Sequence, residues 1–360
     1  MILEFATLLI CLLIFANSLL NYFLLRRVQN LPNQISSEVA VLLPMRNEAK
    51  NVEVLVKNLK AQVGIASLTF HCVDDESSDE TYAHLQLATA EDSRFILHRG
   101  APLREGWIGK PFALQQALNF SNSKIVVIVD SDVRLAPNAL ASAINLMSRL
   151  KLDFMSAYPR QLAGSLTERL IQPLLQWSWI STVPLRIVER SNNPAFAIAN
   201  GQFFIATREA LNHVDGFNQV KSKVLDDIAL ARVLLSAGFR GTVSDASEVA
   251  SCRMYSSWEE IKQGYGKSLR AAFKSPIGFI VTLAFLILTG IVPLALTIGG
   301  SAFGLLSLML IIFSRSISAA SSSGKIRDSL WHPISTILLI YLISYSILMR
   351  GKITWKGRKV

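Results

Sequence analysis

Lys124 to Asp132, KIVVIVDSD, constrains the fold of this chain more than any other stretch. Residues Ile125 to Val129 are apolar and mostly β-branched without alternation, the pattern of a strand buried on both faces of a parallel sheet. The strand ends in Asp130-Ser131-Asp132. Carboxylates at the carboxyl end of a buried strand sit where open α/β sheets place their ligands. One residue between them lets both reach a shared divalent cation, or lets one reach the cation while the other holds a sugar or ribose hydroxyl. In isolation the same pattern also describes a solvated loop after a strand.

The chain as a whole is too apolar for a wholly soluble protein. Hydrophobic residues make up 51% of it and charged residues 17%, a balance that points to membrane segments. Ile2 to Leu25 is long and apolar enough to span a bilayer, and Arg26-Arg27 follow at once. A cleaved signal peptide fits less well, because the positive charges come after the run and Glu4 stands near its start. Residues 1–27 therefore read as an N-terminal anchor with the following domain on the cytoplasmic side. Further apolar runs at 277–298, 302–314 and 332–349 make 277–349 a C-terminal membrane region, followed by a basic tail over 350–360. Arg270 and Lys274 mark the entry to this region as cytoplasmic, so a cytoplasmic tail requires an even number of crossings. The run at 302–314 is short and carries Gly304, and it reads as re-entrant or unusually paired.

The net charge is +10. Its basic residues cluster beside apolar runs, at Arg26-Arg27 and at Lys352, Lys356, Arg358 and Lys359, so the expected partner is an anionic membrane surface and not nucleic acid. Cys11, Cys72 and Cys252 are too few and too far apart for a disulfide framework or a zinc site, which suits a reducing compartment.

From 38 to 273 short apolar runs alternate with helix-period segments, the signature of a parallel or mixed α/β sheet. Val39 to Pro44 reads as the first strand. Val52, Leu55, Val56 and Leu59 recur at helical spacing and predict a helix over 47–62. Strands are predicted at Thr69 to Val73, Arg94 to His98, 124–130 and Gln202 to Thr207. Helices are predicted from Ser77, over 110–120, from Leu225 to Ala237 and from Glu259 to Phe273. Residues 165–190, with Trp177, Trp179, Pro173 and Pro184, read either as an element at the membrane interface or as a core helix pair.

Four polar clusters fall at strand ends or in adjacent loops: PMRNE at 44–48, DDESSDET at 74–81, DSD at 130–132 and LDD at 225–227. Each alone suits turn and cap chemistry. In series, LLPMRNEAKNVEVLV, VDDESSDET, GWIGKPFAL, VDSDVRLAP, GQFFIATREALNHVDGF and LDDIALARVL resemble the motifs of family-2 glycosyltransferases with a GT-A fold. The resemblance covers 39–270, and GWIGK at 106–110 is similar to the branch containing ceramide glucosyltransferase and bacterial carotenoid or hopanoid glycosyltransferases.

The resemblance implies a GT-A (Rossmann-like mixed sheet) cytoplasmic domain flanked by transmembrane helices, and a membrane-bound transfer of a hexose from a nucleotide sugar, UDP-hexose by first choice, to a lipid acceptor with inversion. Pro44, Arg46, Glu48, Asp74 and Asp75 would hold the nucleoside. Arg46 occupies a place often taken by tyrosine, and its planar guanidinium can stack on a base. Asp130 and Asp132 would hold Mg2+ or Mn2+ against the diphosphate, since oxygen-only ligands suit a hard cation. Lys110 would contact the diphosphate, and Asp130 could serve the ribose instead. Asp227, beside Asp226, would act as general base on the acceptor; two carboxylates at a helix start also suit a cap and dipole pair.

One departure concerns the Gln- or Arg-x-x-Arg-Trp motif of processive and ceramide-type enzymes. The nearest stretch here is Gln263 to Lys267, so Gln263, Tyr265 and Lys267, with Gln202, remain candidates for the acceptor or diphosphate. The alternatives are a processive polysaccharide synthase and a non-catalytic nucleotide-sugar-binding membrane protein.

Overall fold

The computed structural model describes residues 1–272, 275–349, 354–355 and 357–359. Lys274, Lys352 and Lys356, which enter the charge argument above, lie outside the described residues. The chain forms two compact units. One comprises Met1–Leu25, Gln161–Arg186 and Met254–Val360; the other comprises Arg26–Arg160 and Ile187–Arg253.

The second unit is an α/β domain. Its strands in chain order are β1 (Val39–Met45), β2 (Leu68–Asp74), β3 (Phe95–Arg99), β4 (Ile125–Val129), β5 (Val133–Leu135), β6 (Phe154–Tyr158), β7 (Arg160–Gln161, at the boundary), β8 (Phe203–Thr207), β9 (Gly241–Asp245) and β10 (Ala250–Cys252). Seven of them form one sheet in the order β3-β2-β1-β4-β8-β6-β9. β1 runs parallel to β2 on one side and to β4 on the other, so the winding reverses there. β8 enters antiparallel between β4 and β6, which makes the sheet mixed. Such a reversal opens a crevice at the carboxyl ends of the flanking strands, and the polar clusters after β1, β2 and β4 lie at those ends.

The apolar runs behave as their pattern dictates. Val39, Ala40, Val41 and Leu42 are fully buried, as are Val127 and Val129. Ala113, Leu114, Ala117 and Leu118 of the helix Gly109–Asn119 pack with Ile128, Phe204 and Leu234 in one cluster. Element ends differ from the sequence reading by a residue or two, except that the helix expected from Ser77 starts at Thr81; the first helix runs Ala49–Lys60 and leaves Asn47 outside, at φ 52°. An asparagine tolerates that left-handed conformation because its side chain can bond locally.

Gly241 opens β9 opposite Phe154 of β6. A Cβ there would lie 2.2 Å from the Phe154 ring, so the glycine is required by close approach. Overpacking of this kind costs about 1–3 kcal/mol. Gly241→Ala is expected to lower the thermal midpoint of the detergent-solubilised protein, and Phe154→Leu in the same chain should restore part of the loss; an unchanged midpoint in Gly241→Ala would contradict this packing.

The other unit is helical. Among the described residues four helices are long and apolar enough to cross a membrane: Ile2–Leu24, Pro276–Ile298, Ala302–Ser321 and Ile326–Leu348. The run at 302–314, read as short, is part of a 20-residue helix. Polarity in this unit is inverted relative to a soluble bundle. In Ile2–Leu24 the buried face carries Thr7, Cys11, Ile14, Ser18 and Asn21, whereas Leu9, Leu13 and Phe23 are exposed. Small and polar residues at helix contacts, with apolar residues outside, are what a lipid surrounding selects. Ser18 bonds Ser314 at 2.7 Å, and Asn21 Nδ2 donates to the carbonyls of Ile180 and Val183, each at 2.7 Å.

Of the two readings of 165–190, the packing favours a core helix. Residues Leu166–Thr182 form a helix through Pro173, with Ser165 and Glu168 closing a capping box at its start. Trp177 and Trp179 are buried, and Trp177 Nε1 donates to Ser314 Oγ at 2.9 Å. The indoles serve packing inside the helical unit, where Trp177 clusters with Cys11, Ile14, Leu174 and Ile311.

Candidate active site

The loops after β1 and β2 are stapled together. Arg46 Nη1 donates to the carbonyls of Asp75 (2.5 Å) and Glu76 (2.8 Å). Asn47 N–H donates to Ser77 Oγ at 3.0 Å, and Asn47 Oδ1 accepts from Ser78 N–H at 2.8 Å. Glu48 N–H donates to Thr81 Oγ1 at 2.7 Å. PMRNE and DDESSDET thus form one wall, with Asp74 and Asp75 buried in it. Asp74 Oδ1 has no partner among the described residues. A buried carboxylate oxygen without a donor is an acceptor available to a ligand. Arg46 braces this wall through its guanidinium. Pro44 occupies β1 itself, paired with Val73.

A charge cluster stands beside the wall. Lys110, second residue of the helix Gly109–Asn119, lies 2.6 Å from Asp130 Oδ1 and 2.8 Å from Oδ2. Burial works against its ammonium, but attraction to Asp130, Asp226 and Asp227 outweighs it and raises the pKa. Asp227 opens the helix Asp226–Ser236 with Asp226 and accepts from the backbone N–H groups of Gly201 and Ile228, each at 2.7 Å. Burial raises the pKa of both carboxyls, that of Asp226 to about 6. Burial, then the neighbouring Asp130, also pushes Asp132 up to about 6.

Asp132 Oδ1 has no partner among the described residues, while the Cys252 thiol bonds to the same carboxyl. Arg134, which binds the carbonyls of Ser131 and Val133 at 2.8 and 2.9 Å, adds a second positive charge. Four carboxylates thus face one ammonium and one guanidinium. The excess of negative charge, the oxygen-only donors and the orphaned Asp132 oxygen fit a divalent cation. Among the described residues no group of three His, Cys, Asp or Glu converges as a closed metal cage. A cation held by Asp130 and Asp132 would therefore keep positions open for ligand oxygens, as Mg2+ does at phosphates.

The structure thus gathers Lys110, Asp130, Asp132, Asp226 and Asp227 at one place. Gln202 is buried, donating to Cys252 Sγ at 2.8 Å and accepting from Asn200 Nδ2 at 3.1 Å. Gln263, Tyr265 and Lys267 belong to the helical unit, on the helix Trp258–Ala272. There Tyr265 is buried against Tyr255 and Gln263 donates to Glu259 at 3.3 Å. Gly201 escaped the sequence reading. A Cβ on it would lie 3.2 Å from both Lys110 Nζ and Asp227 Cβ, so its missing side chain lets the backbone meet the cluster.

Residues 40–215 match the model of glycosyl transferase family 2. The chain carries a glycosyl transferase family 2 domain. It is a glycosyltransferase of the kind that draws on a nucleotide sugar, and the relatives it matches are carotenoid and glycolipid glycosyltransferases. It is 22% identical over 262 residues to the 4,4'-diaponeurosporenoate glycosyltransferase of Staphylococcus haemolyticus, an alignment covering 71% of this chain and 68% of that protein. Over 116 residues it is 28% identical to the beta-monoglucosyldiacylglycerol synthase of Trichormus variabilis, covering 32% of this chain and 24% of that protein. Among solved structures it resembles the mannosyltransferase of Pyrobaculum calidifontis, determined with GDP-Man and Mn2+, at a TM-score of 0.55 and 19% identity over 96% of this chain and 98% of that one. The fold is of the GT-A type.

A raised carboxyl pKa makes a pH prediction. Asp132 moves from an ordinary 3.8 to about 6, so its contribution to stability is fully present below about 4 and is lost as pH rises through about 6. Asp132→Asn removes that loss. With a chelator present, the stability of Asp132→Asn relative to the wild-type protein should climb from pH 5 to pH 8, by on the order of 1–3 kcal/mol. Thermal melts across that range would show it, and a difference that stays flat with pH would count against a buried, charge-crowded Asp132.

Proposed function

We propose that the domain transfers a hexose from a nucleoside diphosphate sugar to a lipid hydroxyl or carboxylate, with inversion and with a divalent cation. The observation that carries this reading is the single cluster of Lys110, Asp130, Asp132, Asp226 and Asp227 beside the wall that presents Asp74. The nucleoside lies against that wall, with Pro44, Arg46, Glu48, Asp74 and Asp75 around it and Asp74 accepting hydrogen bonds from it. Asp130 and Asp132 would hold Mg2+ or Mn2+, which would supply the positive charge that a departing diphosphate needs. Lys110 adds a second positive charge for the diphosphate and keeps Asp130 in place.

An inverting transfer needs a base on the face of the sugar opposite the diphosphate, where the acceptor hydroxyl loses its proton as it attacks. Asp227 suits that role. The N–H groups of Gly201 and Ile228 fix both of its oxygens, and each carboxylate oxygen keeps a second lone pair for the acceptor proton. Asp226 beside it shapes the field. The lipid nature of the acceptor is supported by the four apolar helices and by the carotenoid and diacylglycerol acceptors in the names of the two relatives. Arg26-Arg27 after the first helix support a multi-pass protein of the cell membrane with the catalytic domain on the cytoplasmic side.

The test uses membranes containing the full chain, labelled nucleotide sugars and lipid extract. Asp227→Asn should lower transfer by about 10²- to 10⁴-fold, the usual worth of a general base, with donor binding retained. Asp132→Ala and chelation should both abolish transfer, and added Mn2+ should restore only the chelated wild-type protein. Lipid glycosylation at wild-type rate in both variants would refute the proposal. A ladder of polymer would favour a processive synthase instead.

A further inference from the structure

The helical unit contains a recess that the proposed chemistry does not use. It lies between the helices Leu166–Thr182 and Ala302–Ser321 and the turn Ile326–Trp331, a recess of about 450 Å³ of which part is open to the outside. Arg315, Gln172 and Gln176 line its depth, Asp328 its flank and the exposed Lys325 its mouth. Arg315 is 2% exposed and Gln172 1%. Arg315 Nη1, both ends of the Gln172 amide and Gln176 Nε2 have no hydrogen-bond partner among the described residues.

Each unpaired buried polar group costs about 1–3 kcal/mol, more when charged. An arginine within an apolar helix is costly as well, and such residues mark ligand or ion paths. Packing explains only part of this one: the Arg315 guanidinium carbon lies 6.0 Å from the Trp177 ring centroid, the outer limit of a cation–π contact. Asp328 attracts Arg315 but is shared with Arg169, whose Nε donates to both Asp328 oxygens at 3.0 and 3.1 Å, and it makes no hydrogen bond to Arg315 Nη1. Gln172 and Gln176 stand one turn apart on a single helix face. The recess thus offers a deep guanidinium, amide donors and an ammonium at the entrance. Its enclosed part is small, so a head group would enter from the open side and acyl chains would run out along the exposed apolar helix faces.

We infer that this recess binds the anionic oxyacid head of a single-headed amphiphile, a carboxylate or a phosphate on an apolar tail. Fork-shaped guanidinium recognition suits either head, and basic pockets between membrane helices take lipid heads. The inference deepens the lipid-acceptor reading, on which it rests only for the purpose of the bound lipid.

Equilibrium binding of radiolabelled palmitate, hexadecyl phosphate and hexadecanol to the full chain in a neutral detergent, without nucleotide sugar, tests it. At least one acid should bind about tenfold or more tightly than the alcohol, as charge-assisted bonds predict. Preference for palmitate assigns a carboxylic acid lipid, and preference for hexadecyl phosphate assigns a phospholipid-type head. Arg315→Gln should bring the acid down to the level of the alcohol, while Arg315→Lys should retain part of the preference. Equal binding of all three probes to the wild-type protein would overturn the inference, and this comparison requires no variant to fold. Undiminished acid binding by folded Arg315→Gln would overturn it too. Because no sugar donor is present, an acid that binds but accepts no sugar leaves the site standing and removes the acceptor reading alone.

Discussion

The α/β unit depends on β1 pairing parallel to β2 on one edge and to β4 on the other. Seven residues of register with β2 and four with β4 bring Met45, Asp74 and the end of β4 to one sheet edge. Because β1 is apolar and buried along its length, a slip of its register would draw part of the apolar run out of the sheet or carry the polar residues after Met45 into it, and the hydrophobic effect opposes this at about 25 cal/mol per Å². The positions of three polar loops are therefore fixed by apolar contacts several residues away from them. Precision at the site comes from the sheet; the charges themselves work against stability.

That opposition is visible in the carboxylates. Asp132 and Asp226 have raised pKa values because burial and like charges disfavour their ionised forms. Lys110 and Arg134 offset part of the repulsion. Groups pushed this far by their surroundings concentrate where chemistry is done, and a stable fold has no use for four carboxylates around one ammonium. The surplus negative charge suits a cation, and the fold supplies the stability that the crowded carboxylates themselves do not.

Much of this was legible in the chain. Uninterrupted β-branched runs have few homes besides a buried sheet, and Asp130 and Asp132 follow one directly. The antiparallel entry of β8 was not legible, because Phe203–Thr207 pairs with strands 74 and 48 positions away (Val129 with Phe203 and Ser156 with Phe204) and no local pattern encodes strand direction. Gly201 was missed for a similar reason: closeness to Lys110 and Asp227 is a tertiary fact. Nor does sequence show that Arg46 braces the neighbouring loop, since stacking on a base and bonding to carbonyls need the same side chain.

In the helical unit the errors have one cause. The apolar run at 302 was cut short at Ser314-Arg315 because polar residues end a hydropathy window. In a lipid surrounding, the buried face is where polar residues belong, and Ser307, Ser314, Arg315 and Ser318 all fall on the buried side of Ala302–Ser321. Trp177 misled in the same direction, its indole N–H satisfied by Ser314 inside the unit and not by water at an interface. Ser18, Asn21 and Trp177 each have their hydrogen bonds met. Arg315, Gln172 and Gln176 do not, although the same helices surround them, and polar groups kept unpaired at that depth gain their partner only when a ligand arrives.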